Sequence, residues 1–125
     1  MNEQELKDRT KQFALRVMQL VDALPNTISG RAIGNQLVRS GTSVGANYRA
    51  ACRGRSKTEF VAKLGIVIEE ADECEYWLEL IIDGALLPKN KVESLCQESH
   101  ELAAIFVASI RTAKSAIINQ KSKMK

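Results

Sequence analysis

A chain of 125 residues is the size of one domain, able to bury roughly two thirds of the surface it exposes when unfolded. With 45% hydrophobic and 26% charged residues the composition excludes intrinsic disorder, and with 5% aromatics the core falls to Leu, Ile, Val and Ala. A net charge of +3 is too small to mark a nucleic-acid binder by itself, so the placement of the charges matters more than their sum.

The first residues, MNEQELKDRTKQ, are polar and lack the apolar stretch of a secretory signal. No apolar run approaches the roughly 20 residues that span a bilayer. Cys52, Cys74 and Cys96 are odd in number, far apart and free of a CxxC pair, which suits a reducing compartment and thiols used as small core residues. The expectation is a cytoplasmic protein with no membrane partner.

Before Pro25, apolar residues fall at Leu6, Phe13, Val17, Leu20 and Leu24 with Thr10 filling the gap, one stripe of an amphipathic helix over about 4–24. A second helix is expected from about 28–30 to a glycine stop at Gly54, with Ile33, Leu37, Ser40, Val44, Tyr48 and Ala51 facing inward. Gly34, Gly41 and Gly45 weaken this helix by about 1 kcal/mol each relative to alanine. They gather at one edge of its apolar stripe, where another backbone can approach closely. A bent but continuous helix is expected there, the alternative being a break near Gly41.

Ser56-Lys57-Thr58-Glu59 reads as a capping box that opens a third helix running to about Asp83, closed by Gly84. Its inward stripe is Phe60, Leu64, Val67, Ala71, Cys74, Leu78 and Ile81. Helix four follows Pro88 and extends to about Asn119 on Val92, Leu95, Cys96, Ser99, Ala103, Phe106, Ile110, Ala113 and Ile117, with Leu102, Ile105 and Ala116 widening the apolar face. The polar, basic tail over 120–125 is expected to fray. Four helices joined by short loops predict an all-α, antiparallel up-down-up-down four-helix bundle over 1–119.

The charges divide sharply in residues 31–83. Arg31, Arg39, Arg49, Arg53, Arg55, Lys57 and Lys63 are opposed only by Glu59, whereas Glu69, Glu70, Asp72, Glu73, Glu75, Glu79 and Asp83 follow without a Lys or Arg among them. Arg31, Arg49 and Arg53 share one helix face, and such a ridge can track phosphates. It reads equally as a solvated face that keeps the protein soluble. No aromatic residue interleaves with the arginines, so base readout has no support.

A second face of helix three, Ile66, Glu70, Glu73 and Trp77, looks like a contact with another copy, with the acids meeting a neighbour's basic face. The alternative is that Trp77 packs at the bundle margin of its own chain. Glu70 and Glu73 do not face the core and no Glu-x-x-His pair is present, so a metal site is not expected. Cys96 and His100 stand one turn apart, but no pocket or oxyanion donor accompanies them. Neither a cofactor motif nor a catalytic residue is assigned.

The run SVGANYRAA (43–51), then Glu59-Phe60, Lys63, EEADE (69–73) and YWLEL (76–80) resembles the bacterial four helix bundle proteins. These include proteins encoded in intervening sequences of large-subunit ribosomal RNA genes and the accessory variability determinants of diversity-generating retroelements. With the helix lengths, the resemblance covers nearly the whole chain. It implies a four-helix bundle assembled as a ring-like homopentamer, without catalysis. It further implies nucleic-acid binding and contact with a reverse transcriptase, with Arg39, Arg49, Arg53, Arg55 and Lys63 as candidate contacts.

Overall fold

The computed structural model describes residues 1–123 and is built of four helices, α1 (Glu3–Asp22), α2 (Ile28–Cys52), α3 (Lys57–Asp83) and α4 (Lys89–Lys123). No strand occurs among the described residues. Each helix packs along the next, and α1 touches α4 over a shorter stretch. Among the described residues no helix is long and apolar enough to cross a membrane.

Local chemistry sets the helix ends. Asn2 and Thr27 cap α1 and α2 by accepting from the amides of Glu5 and Gly30. Ser56 Oγ accepts from the amide of Glu59 at 3.1 Å, one half of the expected capping box. The other half is displaced by one residue, because Glu59 Oε2 accepts from the amide of Arg55 at 2.7 Å. At the far end of α3, Gly84 caps the helix in a right-handed conformation and the left-handed residue is Ala85, φ 54°. The amides of Ala85 and Leu86 donate to the carbonyls of Ile82 and Ile81, so the turn asks for glycine one position beyond where the sequence supplies it.

The expected stripes form the core. Leu6, Phe13 and Val17 of α1, Leu37, Val44 and Tyr48 of α2, Leu64, Val67, Ala71, Cys74, Leu78 and Ile81 of α3, and Val92, Leu95, Leu102 and Phe106 of α4 are buried together. Ile33, Phe60, Cys96, Ala103 and Ile110, also expected inside, lie only partly buried against this core. Leu102, expected only to widen the apolar face, is fully buried. Thr10, Ser40 and Ser99 are buried, and each hydroxyl donates to a carbonyl of its own helix, to Leu6, Gln36 and Cys96 respectively. The Cys74 thiol donates to Ser40 Oγ at 3.3 Å.

Helix α2 runs unbroken through its glycines, and the close neighbour they admit is α1. A Cβ on Gly41 would stand 2.8 Å from Val17 Cγ1, one on Gly45 would stand 3.2 Å from Thr10 Oγ1, and one on Gly34 would stand 3.3 Å from Leu24 and Val21. Between α1 and α4 apolar contacts are joined by a polar tie. Arg9 forms a bidentate pair with Glu98, at 2.8 and 2.6 Å, and reaches Glu101 at 2.9 Å. The Glu98 carboxylate is largely covered, its side chain 15% exposed.

Helix α4 is 35 residues long, against 20 for α1. It continues through Lys123, so residues 120–123, expected to fray, are helical; residues 124 and 125 lie outside the described residues. After Phe106 no described residue of α4 is buried. The final 17 residues of the helix, roughly 25 Å, serve the core only through partial contacts such as that of Ile110.

Two glycine-to-alanine changes should move stability in opposite directions in denaturant titration. Gly41→Ala should cost about 1–2 kcal/mol, because the branched Val17 side chain must move. Gly65→Ala, whose new methyl meets nothing within 4 Å, should instead stabilise the fold by about 1 kcal/mol. In the same titration, Ala85→Gly should add about 1 kcal/mol by relieving the left-handed residue.

Arg9 holds the Glu98 carboxyl below the ordinary carboxylate range by hydrogen bonding, against the opposing effect of burial. A carboxyl with a lower pKa folded than unfolded contributes stability that is present above the unfolded value and lost as pH falls through the folded one. Arg9→Ala should therefore cost about 1–3 kcal/mol at neutral pH, and the deficit should shrink as pH drops below about 4. Chemical denaturation across that range measures it.

Candidate functional surfaces

The seven cations singled out in the sequence do not form one patch. Arg31 lies in the first turn of α2, where its guanidinium donates to Asn26 Oδ1 at 2.9 Å. It shares a helical angle with Arg49, but 18 residues separate them, about 27 Å along the axis. Arg39 spans α2 and α3. Its guanidinium pairs with Glu73 at 2.6 Å and Glu70 at 3.4 Å, and Glu73 also accepts from the indole of Trp77 at 3.1 Å. The hydrogen bond from Arg39 and, secondarily, that from Trp77 hold the Glu73 carboxyl below its ordinary range.

The pairing that the sequence suggested between copies is thus made within one chain for Glu70 and Glu73. Trp77 is half-buried against the core and meets Tyr76 edge-on, ring centroids 5.1 Å apart. Of the four residues on that face, Ile66 is the one left exposed, at 38%.

Arg49, Arg53, Arg55 and Lys57 do come together, around the turn that joins α2 to α3, all four exposed. Arg49 and Arg53 stand one turn apart on α2, Arg53 being its C-cap. Among the described residues none of the four joins an ion pair. Lys63 is exposed on α3, but six residues past Lys57 it is rotated away by about 120°.

Two additions come from other helices. Lys7 and Lys11 of α1 line a groove of about 220 Å³ with Arg49, Thr42 and Ala46. Lys57 borders an open apolar groove of about 600 Å³ with Met1, Phe60, Ile105, Thr112 and Ala113. That groove brings the C-terminal part of α4, with exposed Arg111 and Lys114, to the same end of the molecule. Both additions had a signal in the sequence: Lys7 and Lys11 are one helical turn apart, and no carboxylate occurs after Glu101.

The three free thiols are buried or partly buried. Burial pushes Cys74 up to about 12 and, with Glu75 and Glu79, raises Cys96. His100 approaches Glu75 at 3.4 Å rather than pairing with Cys96. Among the described residues no cluster of three or more His, Cys, Asp or Glu side chains is gathered in a way that could hold a metal ion.

The family model of the 23S rRNA-intervening sequence protein matches residues 2–108. The chain belongs to this family. A solved structure of similar shape is that of a protein of unknown function from the S23 ribosomal protein family of Bacteroides thetaiotaomicron VPI-5482. It shares 35% identity and superposes with a TM-score of 0.80, over 89% of this chain and 99% of that one. No curated protein matches the chain. In this family member, the matched segment ends two residues after the last buried residue of α4, so the cationic continuation of that helix lies outside it.

Proposed function

We propose that this protein is a non-enzymatic, cytoplasmic, oligomeric four-helix bundle that binds nucleic acid through phosphate contacts. The observation that carries the reading is the group of exposed, unpaired cations at one end of the bundle: Arg49, Arg53, Arg55 and Lys57, with Lys11 beside them. Cations free of internal partners keep their full charge for an external anion, and each phosphate contact steepens the salt dependence of binding by about 0.9 log unit. Arg39 contributes less than its position suggested, since its guanidinium is already occupied by two carboxylates.

An up-down-up-down topology accords with the order of contacts. Thr10, Val17 and Val21 of α1 meet Gly45, Gly41 and Gly34 of α2, and Arg9 and Arg16 meet Glu98 and Ser94 of α4. In both series one number rises as the other falls. The homopentameric ring and a reverse transcriptase as protein partner come from the family resemblance. Phosphate contacts of this kind take RNA or DNA alike.

A second reading, a protein-binding scaffold with no nucleic-acid role, draws on the exposed acidic face of α3, where Glu69, Asp72, Glu79 and Asp83 have no ion-pair partner among the described residues. The two are separated by a salt-titrated mobility shift with RNA and DNA, each duplex and single-stranded. Wild type should bind at low salt, and changing Arg49, Arg53 and Arg55 to Glu should weaken binding by at least about a hundredfold. Absence of binding by the wild type at low salt would leave the scaffold reading.

A further inference from the structure

The end of α1 and the start of α4 flank a cleft of about 570 Å³. Leu20 and Leu95, both buried, form its floor, and Leu87 and Pro88 of the turn before α4 extend the apolar lining. Arg16 enters from α1 and Lys91 from α4, both exposed, and no carboxylate lines the cleft. Among the described residues neither cation joins an ion pair.

Helix register places the two cations. The Arg16 guanidinium donates to Ser94 Oγ on α4 at 2.9 Å, which holds it across the cleft and uses one of its five N–H donors. Lys91 stands three residues before Ser94 on the same face of α4, so both positive charges serve one region. Toward the α3–α4 turn the lining becomes apolar, with Ala23, Leu87 and Pro88.

An apolar floor with a few convergent polar groups, at this volume, is the usual make-up of a small-molecule site between helices. Two cations without an acid select an anion. The planar fork of a guanidinium matches a carboxylate through two parallel hydrogen bonds. The floor offers no partner to further polar groups, so a ligand that buried a sugar there would lose its hydration without compensation. We propose that this cleft binds a small organic carboxylate with an apolar body, its head between Arg16 and Lys91 and its body over Leu20, Leu87 and Pro88. Such an acid bridges α1 and α4, the helices that touch over the shorter stretch, and so stabilises the fold when bound.

This site is separate from the basic turn. Lys57 of that turn shares a groove with Leu6, near the start of α1, whereas the cleft holds Leu20, about 21 Å further along the helix. It stands whether or not the turn binds nucleic acid.

Isothermal titration calorimetry of the full-length chain with 3-phenylpropionate tests the proposal. Two comparison probes are 3-phenylpropanol, which lacks the charge, and inorganic phosphate, which lacks the apolar body. Phenylpropionate should bind with a Kd of about 1 mM or tighter, and both comparison probes at least about tenfold more weakly. Changing Arg16 and Lys91 together to Gln should weaken phenylpropionate about tenfold or more, with circular dichroism confirming the fold. Ala23→Trp, which fills the cleft from an exposed position, should weaken it as much without touching a charge. Changing Arg49, Arg53 and Arg55 to Glu should leave this binding intact, which separates its failure from that of the nucleic-acid reading. No phenylpropionate binding up to about 10 mM overturns the site. Equal binding of the alcohol or of phosphate overturns the ligand class, and unchanged binding by either cleft variant overturns the location.

Discussion

The contact that the remainder of the bundle depends on is the approach of α1 to α2 across Gly34, Gly41 and Gly45. Val17 lies so close to Gly41 that a methyl group there would collide with a side chain whose branched carbon leaves it little freedom to turn. Three glycines lower the helix propensity of α2, and the loss is recovered only because α1 fills the space they leave. With α1 held there, its own Phe13 and Val17 reach the core beside Leu37 and Val44, and Arg9 comes within reach of Glu98 on α4. The long α2–α3 and α3–α4 contacts join three helices, and the α1–α2 approach brings the fourth close enough to touch α4.

Charge in this molecule is sorted by whether it is answered inside the chain. Arg9 with Glu98 and Glu101 joins the first helix to the last, and Arg39 with Glu70 and Glu73 joins α2 to α3. These pairs orient helices and leave little for a partner. The cations at the α2–α3 turn and along the end of α4, and the outer carboxylates of α3, are left unanswered among the described residues. Such surfaces hold a full charge in solvent, where attraction to a partner is long-ranged and weakens with salt. A net charge of +3 conceals two strong and opposite fields.

Much of the fold is legible in the order of residues. The stripes Leu64, Val67, Ala71, Cys74, Leu78, Ile81 and Leu6, Phe13, Val17 repeat at helical spacing, and burial follows that period because each helix has one side toward a common core. The cap at Ser56 is legible too, since the serine is local to the amide it serves. Less is legible at the surface. Arg31 looks like a member of the ridge when only angle is considered, yet it is about 27 Å away, and Arg39, counted with the basic segment by its charge, is consumed by α3. Helical angle is a local property, whereas the partner of a long, flexible guanidinium is chosen by a neighbouring helix. The continuation of α4 through 123 follows a similar logic: polar composition marks solvent exposure and does not by itself end a helix.

Sequence alone determines the helix count, the faces that turn inward and the segregation of basic from acidic segments, because periodicity, caps and proline placement act over a few residues. It also carries the family resemblance, which the family match turns into membership. Three things are decided only by the packed helices. One is that the glycines of α2 receive α1, which depends on which helix lies across them. Another is which charges are spent within the chain, which depends on distances of a few ångströms between helices. The last is that α4 outruns its bundle after Phe106, which depends on where the other three helices stop. Each is a relation between elements, and no single stretch of chain contains it.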